Sequence, residues 1–180
     1  MSLPHTILES LRSVIGTGPA QLHAPWFTGK ELAYVQDCIE TGWVSSVGGY
    51  VDRFEADLAA YTGAAKAIVV SNGTSGLQVA LELVGVQRGD EVIVPALSFV
   101  ATANAVAHAG AIPHFADSTE ATLGLDVAAL AEHLQTRTER RAGACFNRET
   151  GRRIAAVVPM HTFGHPVDMP ALQELAADHH

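Results

Sequence analysis

From residue 67 onward, short β-branched runs alternate with longer amphipathic stretches, and this alternation restricts the fold more than any other feature of the chain. The runs are AIVVS (67–71), EVIVP (91–95), IPHFAD (112–117) and IAAVVPM (154–160). SGLQVALELVG, FVATANAVAHAG, DVAALAEHLQTR and DMPALQELAADHH follow them with helical spacing. Strands that are apolar throughout belong in a sheet covered on both faces, and strand–helix alternation implies parallel pairing. The reading is an open, three-layer α/β/α domain. Before residue 65 the pattern is helical only. Ile7, Leu8, Leu11, Val14 and Ile15 form a stripe that stops at Gly16, and Leu32, Val35 and Ile39 form a second that stops at Gly42. Val51, Phe54, Leu58 and Tyr61 form a third, ending at Gly63, and glycine is the natural residue to close a helix. The chain thus divides into a helical segment, 1–64, and the first part of an α/β domain, 65–180. A doubly wound domain normally continues with a further strand after its last helix, so the chain reads as interrupted.

A chain of 180 residues can bury a core without disulfides or metal. Nineteen acids against eleven Lys and Arg give a net charge of -8, which argues against nucleic acid and anionic membrane as partners. Cys38 and Cys145 lie far apart and suggest neither a disulfide framework nor a zinc site. No signal-peptide core or membrane-length apolar run is present, so a cytoplasmic location is expected.

The sharpest motif is SNGTSG (71–76), placed between a strand and a helix. Gly73 and Gly76 permit close backbone approach, Thr74 and Ser75 offer hydroxyls, and a helix amino end favours phosphate. The alternative is an ordinary turn in which Ser71, Thr74 or Ser75 caps the helix. A second motif, PALSFVATANA (95–105), puts Phe99 just past a strand, where ligands of open sheets collect. Phe99 stacks on a planar ring or belongs to the core. A third, TGWVSSVGGYVDRFE (41–55), is a binding loop or a turn between helices. His161 and His165 stand four apart, but Gly164 and Pro166 argue against a helix there, and no metal is expected. Asp117 and Asp126 read as caps at element ends. No GxSxG elbow is present to support a Ser–His–Asp triad.

Four segments in order carry a resemblance: HAPWFTGKELAYVQDCIETGWVSSVGGYVDRFE, SNGTSGLQVAL, GDEVIVPALSFVATANAV and PMHTFGHPVDM. Together they resemble the DegT/DnrJ/StrS nucleotide-sugar aminotransferases, pyridoxal-phosphate (PLP) enzymes of fold type I, the aspartate aminotransferase-like fold. TGWVSSVG, CFNRETGRRI and MHTFGHP look closest to the group that aminates C4 of UDP-linked 4-keto-6-deoxy-2-acetamido sugars in legionaminic acid and bacillosamine synthesis. The resemblance implies that 65–180 is the first part of the PLP-binding large domain. It implies that Gly73, Thr74 and Ser75 grip the cofactor phosphate, that Phe99 stacks on the pyridine ring, and that Trp43, Ser45, Ser46 and His161 lie near the sugar nucleotide. It also implies L-glutamate as amino donor and a homodimer.

The family's Schiff-base lysine and pyridine-binding aspartate match nothing in this chain, whose two lysines are Lys30 and Lys66. The resemblance is therefore to the N-terminal half of a longer enzyme, and no catalytic residue is expected in the chain, which alone would be inactive. Three alternatives stand beside the aminotransferase. One is a sugar dehydratase of the same family, in which the lysine is replaced; another is a folded fragment without catalysis. The third, a dinucleotide-binding oxidoreductase module, is opposed by the absence of GxGxxG.

Overall fold

The computed structural model describes residues 2–21 and 24–179. His23, within the HAPWFT motif, and His180, at the end of the last expected helix, lie outside them. The chain forms two compact units, residues 1–67 and 68–180.

The first unit contains three helices, α1 (Leu3–Ile15), α2 (Glu31–Thr41) and α3 (Gly49–Thr62). Each ends at an expected glycine, and Gly42 and Gly63 take the left-handed conformation that closes a helix at φ 77° and 73°. No residue of these helices is buried. Arg53 ties α3 to α2 by lying 5.1 Å over the Tyr34 ring and donating to its hydroxyl at 3.2 Å. The hydrogen bond from Arg53 holds the Tyr34 hydroxyl below its ordinary pKa.

The second unit is built on a five-stranded sheet. Its elements are α4 (Gly73–Leu83), β1 (Glu91–Pro95), α5 (Val100–His108), β2 (Ile112–Ala116), α6 (Val127–Arg137), β3 (Thr138–Arg141), β4 (Ala144–Asn147), β5 (Arg153–Val157) and α7 (Met169–His179). Strand order is β2-β1-β5-β4-β3. β1 pairs parallel with β2 and β5, with Ile93 opposite His114 on one side and Val157 on the other. All five β1 residues are buried, as the apolar run predicts. Their side chains alternate between two cores. Val92 and Val94 meet Leu81, Ala105 and Val106 from α4 and α5. Ile93 meets Leu130 and Leu134 of α6, Leu172 of α7, Cys145 and Ile154. The three-layer expectation holds for this unit.

Two expectations are corrected. AIVVS is not a strand: residues 67–70 have no regular structure, and Ile68 is 73% exposed. β-propensity reports a fit to a pleated, half-buried surface and does not by itself make a strand. Nor is the sheet wholly parallel, because β3 and β4 form an antiparallel hairpin that the sequence reading passed over. Its turn is Ala142–Gly143, both at positive φ, the turn geometry that matches strand twist.

At the amino end of β1 two buried carboxylates lock the sheet. Asp90 accepts from Arg153 of β5 at 3.1 Å (Nε) and 2.5 Å (Nη2), and from the Gln87 N–H at 2.7 Å. Burial pushes the Asp90 pKa up, but Arg153 and the Gln87 amide outweigh it and hold the carboxyl below its ordinary value. Glu91 accepts from Thr150 (2.5 Å), Asn147 (2.9 Å) and His114 (2.8 Å). There too the donors outweigh burial, and its pKa is lowered.

A carboxyl with a depressed folded-state pKa stabilises the fold above its unfolded pKa, and that stability is lost as pH falls through the folded value. Asp90→Asn is expected to cost roughly 1–3 kcal/mol at neutral pH. The loss should shrink as pH falls from the ordinary carboxyl range, where Asp90 of the unfolded chain begins to protonate, toward the lower folded-state value. Urea denaturation at pH 7 and pH 3 checks both parts.

Candidate functional site

The site is built where the parallel strands end. β1 stops at Pro95, and the Ala96 N–H donates to Ala116 O at 2.8 Å, so the loops after β1 and β2 leave the sheet side by side. The loop after β1 is held by Ser98, whose hydroxyl donates to Thr102 Oγ1 at 2.7 Å inside the first turn of α5. It is also held by Met160, just past β5, whose Sδ accepts the Phe99 N–H at 3.3 Å. Phe99 occupies the N-cap position of α5 with extended backbone and is 70% exposed. Phe99 is therefore not packed into a core of this chain: its backbone is anchored and its side chain is exposed.

The turn after β5 is fixed from two directions. His161 Nδ1 accepts the Val167 N–H at 3.1 Å, and buried Thr162 donates to Leu123 O at 3.1 Å. Between His161 and His165 lies a single 3-10 turn, Thr162–Gly164. Gly124, in the loop after β2, makes this packing possible, because a Cβ there would sit 2.7 Å from Val167 Cγ2. Loops from β1, β2 and β5 are therefore joined at one edge.

α4 leads into β1. At its carboxyl end the Val86 N–H donates to Leu81 O at 3.0 Å, and Leu81 packs with Val92 and Val94 of the strand. Asn72, and not Ser71, Thr74 or Ser75, is the N-cap: its Oδ1 accepts the Ser75 N–H at 2.9 Å. Asparagine ranks among the best N-caps, so the signal was present in SNGTSG. The first helical bond is Gly76 N–H to Asn72 O at 3.1 Å. Helix geometry leaves the earlier amides, at Gly73 and Thr74, pointing out of the helix end. A Cβ on Gly73 would meet nothing within 4 Å, whereas one on Gly76 would press on Val70 at 3.2 Å. The glycine that close packing demands is Gly76.

Gly73, Thr74, Ser75, Phe99 and His161 thus belong to the second unit, while Trp43, Ser45 and Ser46 belong to the first. Trp43 is 57% exposed, in the turn between α2 and α3. Lys30 and Lys66 are also in the first unit. Asp126 caps α6, accepting the Ala129 N–H at 2.9 Å, as expected of it. Met160 and Asn72 are the positioning residues that sequence reasoning did not single out.

The sequence profile of the DegT/DnrJ/EryC1/StrS aminotransferase family matches residues 26–180. The chain belongs to this family. Among curated relatives, the GDP-perosamine synthase of Caulobacter vibrioides is 38% identical over 156 residues, covering 87% of this chain and 38% of that protein. The crystal structure of 3-amino-5-hydroxybenzoic acid synthase is 30% identical with TM-score 0.68, covering 90% of this chain and 38% of that one. The Bacillus subtilis NtdA structure with bound cofactor PMP is 28% identical with TM-score 0.61, over 82% of this chain and 30% of that one. This family member therefore spans well under half the length of the relatives it matches, and it shares the mixed α/β fold of these enzymes.

Two substitutions separate packing from the site. Asn72→Ala should lower stability by about 1 kcal/mol through the lost cap. Phe99→Leu should change stability by less than about 0.5 kcal/mol, because the ring is exposed. Parallel thermal melts of the two variants check both; a large loss for Phe99→Leu would restore the core reading.

Proposed function

We propose that the whole protein is a PLP-dependent aminotransferase acting on a nucleotide-linked keto sugar, and that residues 65–180 are the first part of its cofactor-binding domain. What carries the reading is family membership together with an open donor set at the amino end of α4 and an exposed aromatic ring at the amino end of α5. The amides of Gly73 and Thr74 and the hydroxyls of Thr74 and Ser75 suit a phosphate dianion, both by charge and by donor count. Phe99, anchored through its amide to Met160, suits a planar heteroaromatic face. The donor chemistry fits pyridoxal phosphate. When bound, that cofactor supplies an electron sink and an amino-group carrier. The residues of this chain bind and orient it.

On the sugar side, the motifs TGWVSSVG, CFNRETGRRI and MHTFGHP support a UDP-linked 4-keto-6-deoxy-2-acetamido sugar as acceptor, with L-glutamate as donor. Trp43, Ser45, Ser46 and His161 would contact it in a cytoplasmic homodimer engaged in surface-polysaccharide or nonulosonic acid synthesis. A second reading, a GDP-linked 4-keto-6-deoxy sugar, is favoured by the GDP-perosamine synthase relatives.

Incubating the full-length enzyme with glutamate and each keto sugar, followed by mass spectrometry of the product, decides between the readings. Amination of the UDP substrate is expected; amination of the GDP substrate alone would select the second reading. Thr74→Ala in the same protein should weaken cofactor binding about ten- to a hundredfold, the equivalent of one charge-assisted hydrogen bond. Unchanged cofactor affinity would reduce the loop to a helix cap.

A further inference from the structure

Away from that edge, on the α6 side of the sheet, two histidines meet nitrogen to nitrogen. His114, on edge strand β2, and His133, on α6, place their Nε2 atoms 3.1 Å apart. His114 is held from behind: its Nδ1 lies 2.8 Å from Glu91 Oε2, and its side chain is 15% exposed. Glu91 is a carboxylate taking donors from Thr150 and Asn147 as well, so it accepts and His114 Nδ1–H donates. With the proton fixed on Nδ1, the neutral ring presents a lone pair at Nε2. This is the outer-shell arrangement, a carboxylate behind an imidazole, that orients histidine ligands and raises their basicity.

The ring geometry accommodates a shared point between the two nitrogens. At a zinc–nitrogen distance of about 2.05 Å, nitrogens 3.1 Å apart subtend roughly 100° at the metal. With each ring centre ~1.1 Å behind its nitrogen, the two centres would then stand roughly 4.8–5.2 Å apart. A linear N–H···N bond would hold them about 5.3 Å apart. They stand 5.0 Å apart and nearly perpendicular, at 74°. The pair opens on a cavity of about 180 Å³ that is also lined by Asp117, Leu130 and Ala129. Among the described residues no set of three His, Cys, Asp or Glu converges as a ligand group. The remaining coordination positions therefore fall to water in that cavity.

We propose that His114 and His133 form a two-histidine site for a divalent transition-metal ion of the zinc class, oriented by Glu91 and completed by water. It joins the edge strand β2 to α6, and it is separate from the proposed cofactor site. Zinc itself is the probe. Isothermal titration of the 180-residue chain with Zn²⁺ at pH 7.5 should show one site of micromolar affinity. His133→Gln should weaken it at least tenfold while the far-UV circular dichroism is unchanged. Because adjacent His179 and His180 are a second possible chelator, a variant carrying H179Q and H180Q is titrated alongside and should retain the site. Copper provides a readout that needs no variant: the electron paramagnetic resonance of one Cu²⁺ equivalent on the native chain should show splitting from two imidazole nitrogens. The proposal is overturned by absence of Zn²⁺ binding below millimolar concentration, by binding that survives His133→Gln, or by binding lost in the H179Q/H180Q variant. Copper without two-nitrogen splitting overturns it as well, leaving an ordinary imidazole–imidazole hydrogen bond.

Discussion

The second unit depends on the burial of β1. Val92 and Val94 are fully buried on one face and Ile93 is 2% exposed on the other, so the strand must be covered twice and paired on both edges. Parallel pairing with β2 follows from the return through α5, and with β5 from the return through α6 followed by the two reversals β3–β4 and β4–β5. The loops after β1, β2 and β5 then emerge at one edge whatever their own sequences prefer. Phe99 and His161, 62 positions apart in the chain, share the same edge because of it, and Met160 is the atom-level link between them.

The other end of β1 is governed by electrostatics. Two carboxylates taken out of water at consecutive positions would be costly if unpaired. Each is instead saturated by donors from other elements: Arg153 and the Gln87 amide for Asp90, and Thr150, Asn147 and His114 for Glu91. The side-chain donors come from β2, β4, the β4–β5 turn and β5, so these bonds also tie the strands together. The sheet is oriented by polar specificity at its amino end.

Much of this was legible in the sequence, and the exceptions have a common cause. The stripes of α1, α2 and α3, the buried run EVIVP and the helices starting near Ser75, Val100, Val127 and Met169 all follow from local periodicity. AIVVS misled because a β-branched run reports willingness to pair, and pairing is supplied by distant chain. The β3–β4 hairpin was missed for the opposite reason: TERR and ACFN lack an apolar run, and Ala142 is not a typical residue for positive φ. At the site, the residue types at Gly73–Ser75 and Phe99 could be read as ligand-facing or as cap and core, and the sequence did not show that Phe99 is 70% exposed. The roles of Met160 and the Glu91–His114–His133 line are products of tertiary placement, where spacing in sequence carries no information, whereas the Asn72 cap was local and legible.

The contact between Gly124 and Val167 has a further consequence. A missing side chain at one position lets two loops, grown from different strands, seat against each other with no room to spare. Drift on either side is cheap, since Thr119–Leu123 and Phe163–Pro166 are largely at the surface, yet at the contact itself the two lineages of sequence are bound to one another. Diversification of this edge toward new ligands must therefore proceed around a fixed rivet, by altering what projects from the loops and not by changing where they meet.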